Sequence, residues 1–368
     1  MIIAIDASRA NKTKRSGIEW YSYYLLKQLY QLDDQNRYFL YTPEKLIDDL
    51  KPPPSNFTEK VLKWPLKKLW TLGRFSLEML FNKPDILFVP SHTFPLIGAK
   101  KNIITWHDVG YKKFPETYTK WELWSLNQGN KRAVKIADKI ITISHFSKKE
   151  ILKFYKIDPE KISVIYLGCN HDLWQPAPAD AVRDFLQRNS FKAPYFVYLG
   201  RLALRKNIVG LIRIYNRFRE KYHKPHQLIL IGSAEPQQDE INQEIQASPF
   251  KDEIKKMGWL PTEQLPILLS GASGFVFPTI YEGFGLPAVE AMACGCPVIA
   301  SNSGALPEII DEAGLLTEAH DVDGFAQNMI KVIEDSEFRQ DLISKGLQRS
   351  KEFSWEKCAQ ETLKILQS

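Results

Sequence analysis

Short runs of β-branched and aromatic residues alternate along the chain with longer amphipathic segments, which is the pattern of parallel βα units. In the first half, the runs predicted to be strands are 2–7, 38–41, 86–89, 103–106, 140–143 and 163–166. The second half repeats this rhythm, with strands predicted at 195–199, 227–231, 274–277 and 298–300. The pattern therefore predicts an α/β fold made of two doubly wound sheets in tandem.

Two proline-rich stretches interrupt this pattern. The stretch 51–55 is predicted to be a loop inside the first domain, because the strand rhythm resumes after it. The stretch 174–179 follows the last strand of the first half and precedes a new helix, so we expect it to link domains 1–174 and 175–352. Within the first domain, Ser147 and Glu150 form a capping-box pattern that predicts a helix start with Ser147 as its N-cap.

The composition is typical of a globular protein with a sizeable core. The 368 residues are 44% hydrophobic and 25% charged, which excludes disorder, collagen and coiled-coil arrays as the main architecture. Four cysteines in a chain of this length are no disulfide framework, and Cys294 and Cys296 lack the spacing of zinc or thioredoxin sites. We therefore expect no metal and no cofactor.

The sequence also carries expectations about location. The N-terminus has no basic region and reaches Asp6 early, which is unlike a signal peptide. No uninterrupted apolar run approaches the roughly 18–20 residues that span a bilayer. We therefore expect a cytoplasmic protein that is soluble, or peripheral on the inner face of the cytoplasmic membrane.

The most informative segment for chemistry is 277–291, where a buried strand leads through a loop with two glycines into a helix. Pro287 stands at a helix-opening position, where its missing N–H costs nothing. The backbone of 283–286 can then turn successive N–H groups toward one point at the helix N-terminus, an arrangement that binds anions. Glu282 and Glu290 flank this point, and carboxylates suit hydroxyl groups. Phosphate together with hydroxyl groups indicates a nucleotide sugar; the alternative is a surface turn with one helix-capping acid.

A second loop, 199–207, follows another strand and opens a helix, so it lies where ligands of open α/β sheets bind. Arg201 and Lys206 would offer a forked donor and a point charge to a diphosphate. The same charges would stabilise that diphosphate as it departs, without a metal. The alternative is a solvated basic loop, which is the interpretation we adopt for Arg205.

Three weaker signals complete the set. The basic loop 9–17 matches neither a dinucleotide-binding G-x-G-x-x-G nor a Walker A sequence, and neither motif occurs in the chain. Gly17 would still let the backbone approach a phosphate closely. His107 ends a strand and can hydrogen-bond a sugar hydroxyl or shuttle a proton, although a lone histidine is more often structural. Asp321 and Asp323 resemble a metal-binding pair, but helix capping explains them better.

Residues 281–299 resemble the E-x7-E signature of the family 4 retaining glycosyltransferases, which have the GT-B fold of two Rossmann-like domains facing a central cleft. The resemblance covers nearly the whole chain. Its further matching points, in family order, are Ser16-Gly17-Ile18, His107-Asp108, 143–147, Gly200-Arg201, Lys206-Asn207, Gly258-Trp259 and Phe353-Ser354-Trp355. It also implies that 353–368 forms a helix that crosses back to the first domain.

The resemblance implies that a donor nucleotide sugar binds mainly to the second domain, in the cleft. Glu290 would hold the ribose hydroxyls, Arg201 and Lys206 the diphosphate, and Glu282 the transferred sugar. The residues implied in substrate binding are Gly17, Gly258, Trp259, Leu260, Gly283, Phe284, Gly285, Leu286 and Glu290, and those implied in catalysis are His107, Arg201, Lys206 and Glu282.

Within that set, the resemblance implies that the amides of 284–286 help Glu282 to position the sugar. Gly17 would approach the diphosphate from the first domain, and His107 would face the sugar. Residues 258–260 would form a wall for the base. Retention of the anomeric configuration is likewise implied by the family, and the leaving phosphate would accept the proton of the acceptor.

The charge is unevenly distributed along the chain. Residues 1–175 carry 28 basic and 18 acidic side chains, a net charge of +10, whereas the remainder has a net charge of −4. Within the basic half, segment 60–74 mixes five basic residues with two tryptophans, a composition that suits an anionic membrane surface. An amphipathic segment that faces the core is an equal alternative. Nucleic acid is not expected as a partner, because no recognised binding motif accompanies the charge.

These observations lead to two functional hypotheses. The first is an active glycosyltransferase that moves a hexose to a lipid-linked or polysaccharide acceptor in cell-surface glycan synthesis. The loop around Gly17 and the pair His107-Asp108 resemble those of mannosyltransferases, so GDP-mannose is the preferred donor and a UDP-sugar the alternative. The second hypothesis is a non-catalytic GT-B subunit that binds nucleotide sugar or membrane for a partner enzyme. The intact set of Arg201, Lys206 and the two glutamates favours the first.

Overall fold

The computed structural model describes residues 1–65, 69–233 and 238–368. The chain forms two compact units, 1–168 together with 354–368, and 169–353. The sequence analysis placed the link between domains at 174–179. In the structure, residues 169–174 already belong to the second unit, and Ala177 N–H donates there to Ser270 Oγ at 2.9 Å.

The first unit is built on a seven-stranded sheet in which the strand pairs are parallel. Its strands are β1 (Ile2–Asp6), β2 (Arg37–Thr42), β3 (Phe57–Val61), β4 (Ile86–Val89), β5 (Lys101–Thr105), β6 (Lys139–Thr142) and β7 (Ile162–Val164). Its helices up to residue 168 are α1 (Gly17–Leu32), α2 (Ser76–Phe81), α3 (Gly110–Lys113), α4 (Lys120–Ile136) and α5 (His145–Phe154). The order across the sheet is β3-β2-β1-β4-β5-β6-β7.

The second unit has a six-stranded sheet, again with parallel pairs. Its strands are β8 (Tyr195–Leu199), β9 (Gln227–Ile231), β10 (Ile254–Met257), β11 (Gly274–Phe277), β12 (Val298–Ser301) and β13 (Gly314–Thr317). Its helices are α6 (Ala179–Arg188), α7 (Ile208–Lys221), α8 (Gln238–Ala247), α9 (Leu265–Ser270), α10 (Leu286–Ala293), α11 (Leu306–Ile310), α12 (Val322–Glu334) and α13 (Ser336–Ser350). The order across the sheet is β10-β9-β8-β11-β12-β13.

The last helix, α14 (Trp355–Gln367), lies in the first unit. Trp355 stacks on Tyr24 of α1 with ring centroids 5.1 Å apart and planes 18° apart. A Cβ at Gly168 would lie 2.2 Å from the backbone N of Trp355, so the close packing of the chain against the start of α14 requires glycine there.

The predicted α/β class with two Rossmann-like units is confirmed, and every predicted strand is present. Three strands that the sequence pattern missed, β3, β10 and β13, all lie at an edge of their sheet. Central strands such as β4 are buried along their whole length and give an uninterrupted apolar run. An edge strand has a neighbouring strand on one side only and is less buried. Strand β10 accordingly carries Lys255 and Lys256 between its apolar ends.

The helix start predicted at Ser147 was wrong by about one turn. The N-cap of α5 is Ser144, whose Oγ accepts from the N–H of Ser147 at 3.0 Å. Glu150 forms an ion pair of 2.7 Å with Lys113. Ser144 and Ser147 can both act as an N-cap. Ser144 does so here, because it lies two residues after the end of β6, where the helix begins.

Both sheets reverse their strand order once, and this determines where a ligand can bind. In the first unit the reversal lies between β1 and β4, and in the second unit it lies between β8 and β11. The loops that leave neighbouring strands at such a point turn to opposite faces of the sheet and open a crevice at the carboxyl ends. The loops after β8 and β11 are those that the sequence analysis singled out.

In the described ranges, no helix is both long enough and apolar enough to cross a bilayer. All four cysteines are buried free thiols.

Candidate active site

The loop after β8 is held in place by close backbone contacts at the sheet edge. Gly200 and Gly232 have φ angles of 145° and 154°, and a Cβ at Gly232 would lie 1.8 Å from the carbonyl oxygen of Gly200. Only glycine fits there. Tyr198 Oη donates to the carbonyl oxygen of Arg201 at 2.9 Å, which fixes the backbone from which the exposed Arg201 side chain projects.

Lys206 and Glu282 meet across the crevice as an ion pair between Nζ and Oε2. Their side chains are only 9% and 14% exposed, and Nζ also lies 5.1 Å from the centroid of the Phe277 ring. The structure therefore brings together two of the predicted catalytic residues, one from each loop. In this arrangement, each neutralises the charge of the other.

Further hydrogen bonds tie the two loops together, and they involve residues that the sequence analysis did not single out. The carbonyl oxygen of Arg205 accepts from Ile280 N–H at 2.8 Å and from Thr279 Oγ1 at 3.0 Å. Ser301, at the end of β12, donates from Oγ to the carbonyl oxygen of Thr279 at 2.5 Å. Small hydroxyl residues at strand ends are too common in sequences to mark this role in advance.

The backbone of Glu282 is clamped by the loop after β12. Ala305 N–H donates to the carbonyl oxygen of Glu282 at 2.9 Å. Gly304 has a φ of 67°, and a Cβ there would lie 2.4 Å from that oxygen and 2.7 Å from the Glu282 N. Gly304 thus lies directly against the Glu282 backbone and helps to fix its position. The sequence analysis did not single out this glycine.

Helix α10 begins at the same edge. Gly285 is its N-cap with a φ of 102°, in the left-handed region that glycine adopts without strain. Leu286 and Pro287 follow as the first helical residues, and Gly283 and Phe284 are buried in the approach to the helix. The first turn of a helix presents N–H groups that have no partner within the helix, together with the positive end of its dipole. The loop therefore has the form of an anion site beside Lys206.

Glu290 lies one turn into α10 and is half-buried. Burial raises the pKa of its carboxyl to about 8. Within the described part of the chain, no hydrogen bond or ion pair reaches this carboxyl. Its negative charge, when present, contributes to raising the pKa of the Cys169 and Cys294 thiols. The protein therefore holds Glu290 mostly protonated at neutral pH, and a ligand that donates hydrogen bonds would favour its ionised form.

Residues 258–260 leave the carboxyl end of β10 on the same side. The carbonyl oxygen of Gly258 accepts from Gly232 N–H at 3.2 Å, which links this turn to the loop after β8 through Gly232. Leu260 is buried, whereas Trp259 is 74% exposed. Among the described residues, a Cβ at Gly258 would meet nothing within 4 Å. The turn therefore leaves most of the Trp259 side chain exposed to a ligand.

In the first unit, Gly17 is the first residue of α1 and is exposed. A Cβ there would meet no atom of the described residues within 4 Å, so their packing does not require glycine at this position. Glu19 accepts from the N–H of Ser16 at 3.2 Å and pairs with Arg9 at 3.1 Å. The start of α1 is therefore a well-capped helix end with open space in front of it.

His107 is buried after β5, between the rings of Tyr21 and His92 at 4.9 and 5.4 Å. Its Nε2 lies 3.3 Å from the carbonyl oxygen of Pro90, so the neutral ring carries its proton on Nε2 and leaves Nδ1 as an acceptor. Burial, with a smaller effect of His92, lowers the pKa of His107 to about 3. At neutral pH His107 can accept a hydroxyl proton in a hydrogen bond, but it holds no positive charge.

Two other predicted features have structural roles. Asp321 caps α12 by accepting from Gly324 N–H at 2.9 Å, and Asp323 pairs with Arg217 at 2.8 Å and with Lys221 at 2.6 Å. Over residues 1–65, 69–233 and 238–368, no three His, Cys, Asp or Glu side chains form a group that could hold a metal ion.

The basic segment 60–74 turns its tryptophans inward. Trp70 is buried and donates from Nε1 to the carbonyl oxygen of Leu62 at 2.8 Å, and Trp64 packs against the same core. Leu66, Lys67 and Lys68 lie outside the described residues. The sequence analysis left two interpretations of this segment, a membrane-binding surface and an amphipathic segment that faces the core. The positions of its tryptophans support the second.

Two family models match the chain, one for each half. The model described as Glycosyltransferase Family 4 matches residues 15–173, and the model described as Glycosyl transferases group 1 matches residues 183–349.

The relatives include two bacterial mannosyltransferases. O-antigen chain mannosyltransferase B of Escherichia coli is 29% identical over 319 residues, which are 87% of this chain and 82% of that protein. O-antigen chain mannosyltransferase RfbU of Salmonella typhimurium is 29% identical over 273 residues, or 74% and 71% of the two chains. Among solved structures, Anabaena HepE in complex with UDP-glucose has a TM-score of 0.76 at 19% identity and covers 100% of this chain and 99% of its own. That likeness shows a shared fold.

Proposed function

Because the chain belongs to glycosyltransferase family 4 and is a glycosyltransferase, we propose that it transfers mannose from GDP-mannose to a glycan or lipid-linked acceptor in cell-surface glycan synthesis. The observation that carries this proposal is the pairing of Lys206 with Glu282 beside the N-terminus of α10. Two relatives named as O-antigen mannosyltransferases support the choice of sugar.

The diphosphate of the donor is assigned to the α10 end of the crevice. Its negative charge favours the first turn of α10, the nearby Lys206 ammonium and the exposed Arg201 guanidinium. A diphosphate competes with Glu282 for Lys206, because both are anions. Donor binding would therefore release the Glu282 carboxylate to accept hydrogen bonds from hydroxyls of the transferred sugar.

The nucleoside is assigned to the other residues at this edge. Glu290 lies one turn into α10, and its carboxylate would accept hydrogen bonds from the two ribose hydroxyls. That no partner for this carboxyl is found among the described residues supports the role. The exposed ring of Trp259 offers a stacking face for the base. These assignments use only residues of the second unit.

For the chemical step we propose transfer with retention, with the acceptor attacking the face of the sugar from which the phosphate leaves. The bond from the acceptor oxygen to the anomeric carbon forms as the bond to the phosphate oxygen breaks. The acceptor proton passes to the departing phosphate oxygen. Lys206 and Arg201 stabilise the charge that develops on the diphosphate, which is the larger part of their contribution to the rate.

The first unit is assigned to the acceptor. Its sheet edge carries His107, whose neutral ring presents Nδ1 to a sugar hydroxyl, and the open start of α1 at Gly17. The net charge of +10 over residues 1–175 supports an anionic, lipid-linked acceptor at the cytoplasmic face of a membrane.

A UDP-sugar is the second candidate donor, because the solved relative of similar fold was crystallised with UDP-glucose. The test is the thermal unfolding of the purified protein with GDP-mannose, UDP-glucose, ADP-glucose and a dTDP-sugar, each with EDTA present. A ligand that binds only the folded state raises the unfolding midpoint.

We expect GDP-mannose to raise the midpoint more than the other donors do, and Glu290→Gln to reduce that rise. A selective response to UDP-glucose would replace the proposed donor. A flat response to every donor would contradict the proposal and favour a non-catalytic subunit.

A further inference from the structure

The outward face of α2 is apolar. Leu77, Leu80 and Phe81 have the spacing of one helix face and are 49%, 56% and 78% exposed. A surface helix of a soluble protein usually packs its apolar face against the core and exposes a polar face to water. Three large apolar side chains together on the outer face therefore mark a contact surface.

Helix α4 exposes two further aromatic side chains. Trp121 and Trp124 are 48% and 52% exposed and stack on each other with ring centroids 5.1 Å apart. The helical spacing of three and four residues continues this stripe through Gln128 to Lys131 and Lys135, all of which are exposed. The stripe is thus aromatic at its N-terminal end and basic at its C-terminal end.

Leu96 connects the two helices. Its N–H donates to Ser76 Oγ, at the start of α2, at 2.7 Å, and its carbonyl oxygen accepts from the guanidinium of Arg132 in α4. The Leu96 side chain is itself half exposed. We call the exposed apolar residues of α2, Leu96 and the stripe on α4 the α2–α4 surface. Its apolar and basic members are Leu77, Leu80, Phe81, Leu96, Trp121, Trp124, Lys131 and Lys135.

The charge of this surface is mainly positive. Helix α4 carries four basic residues, Lys120, Lys131, Arg132 and Lys135, and one acid, Glu122. Glu122 is engaged at the start of its own helix, where it accepts from the N–H and Oγ1 of Thr119, both at 2.8 Å. Helix α4 therefore has a net charge of +3, and Glu78 of α2 is paired with Arg74 at 2.8 Å.

We propose that the α2–α4 surface docks the protein on an anionic lipid membrane. Tryptophan side chains prefer the membrane–water interface, leucine and phenylalanine enter the acyl boundary, and lysine reaches the headgroup phosphates. The inference extends the proposed function, because a lipid-linked acceptor is presented at such an interface. It places the membrane contact on α2 and α4 rather than on segment 60–74, whose tryptophans face the core.

The experiment is flotation of the full-length protein with vesicles of 30% phosphatidylglycerol and 70% phosphatidylcholine, and with vesicles of phosphatidylcholine alone, at low and high salt. The variants are Trp121→Ser with Trp124→Ser, and Lys131→Gln with Lys135→Gln. The matched control is Lys192→Gln with Lys224→Gln, two exposed lysines of the second unit. Thermal unfolding of each variant confirms that it is folded.

We expect the wild type to bind the anionic vesicles, more weakly as salt rises. The tryptophan variant should bind at least about tenfold more weakly, because it loses the interfacial apolar area. The lysine variant should lose about fivefold per charge, whereas the control variant should lose much less.

Binding that is unchanged in both α4 variants, or equal losses in the α4 lysine variant and its control, would overturn the proposal. A wild type that floats with neither vesicle would also overturn it. Transfer to a water-soluble acceptor, measured alongside, separates the two claims. A protein that transfers but does not float contradicts this surface alone, and one that floats as expected without transferring contradicts only the proposed function.

Discussion

The ammonium of Lys206 and the carboxylate of Glu282 form an ion pair that joins the loop after β8 to the loop after β11. These loops leave the sheet at the point where its strand order reverses, so the pair lies at the crevice that the fold itself creates. An anionic ligand can take the place of Glu282 beside the Lys206 ammonium, and this exchange is the basis of the donor site proposed above.

The first prediction concerns the coupling within this pair. Lys206→Met leaves the Glu282 carboxylate without its partner in a poorly hydrated place, so we expect a loss of about 2–3 kcal/mol in the free energy of unfolding. The double variant Lys206→Met with Glu282→Gln should lose less than the sum of the single losses. Chemical denaturation of the four proteins gives the coupling energy. Strictly additive losses would mean that the two side chains do not interact.

The second prediction concerns the support of Glu282 by Gly304. Gly304→Ala should lower the turnover, because its Cβ would displace the Glu282 backbone 2.4 Å away. Gly295→Ala is the matched control, since its φ of 69° is equally strained but its Cβ would meet nothing closer than 3.6 Å. Backbone strain should cost each variant about 1 kcal/mol of stability. The backbone clash should cost Gly304→Ala more, and only this variant should also lose activity. Equal turnover in the two variants would contradict the positioning role.

The third prediction is a pH dependence caused by Glu290. Burial raises its pKa in the folded state to about 8, above that of the unfolded chain, so the folded state holds the proton more tightly. The contribution to stability is fully present below the unfolded pKa of about 4.5 and is lost as the pH rises to about 8.

Glu290→Gln cannot ionise, so it should gain about 1–3 kcal/mol of stability relative to the wild type between pH 4.5 and 8. Unfolding midpoints measured across this range for the wild type, for Glu290→Gln and for the exposed control Glu334→Gln give the difference. A constant difference between wild type and Glu290→Gln at all pH values would show that Glu290 ionises normally.

The fourth prediction concerns the protonation of His107. Because burial lowers its pKa to about 3, the ring should remain neutral with its proton on Nε2 throughout the range in which ordinary histidines titrate. Nitrogen-15 NMR of the histidine rings, with His107→Gln to assign the signal, reports both the tautomer and the charge. An imidazolium signal from His107 at pH 5.5 would rule out the assignment of Nδ1 as a fixed acceptor.

Much of the fold could be predicted from the sequence, because buried central strands leave short apolar runs that are rich in β-branched and aromatic residues and are bounded by turn residues. The strands β3, β10 and β13 were not predicted, because they lie at sheet edges, where a strand is only partly buried and its sequence is less uniformly apolar. The start of α5 was misplaced because Ser144 and Ser147 are both acceptable caps, and only the position of the preceding strand decides between them.

For the candidate site, sequence reasoning singled out the residues whose chemistry is distinctive, namely the glutamates, the basic pair and the glycines at the start of α10. The supports Thr279, Ser301 and Gly304 were missed, because their role depends on contacts between loops that are distant in sequence. Tryptophan gave an ambiguous signal in the first unit. Trp64 and Trp70 pack inward, whereas Trp121 and Trp124 are exposed, and composition alone does not distinguish the two pairs.

The most direct test of the central claim is a transfer assay with GDP-mannose and a lipid extract of the source cell, analysed by mass spectrometry. We predict a lipid-linked glycan that gains one hexose, with an equal amount of GDP released, and neither product with Lys206→Ala. The control Gly295→Ala should retain the reaction. Hexose transfer that proceeds equally well with Lys206→Ala, or that occurs only with a UDP-sugar, would contradict the account.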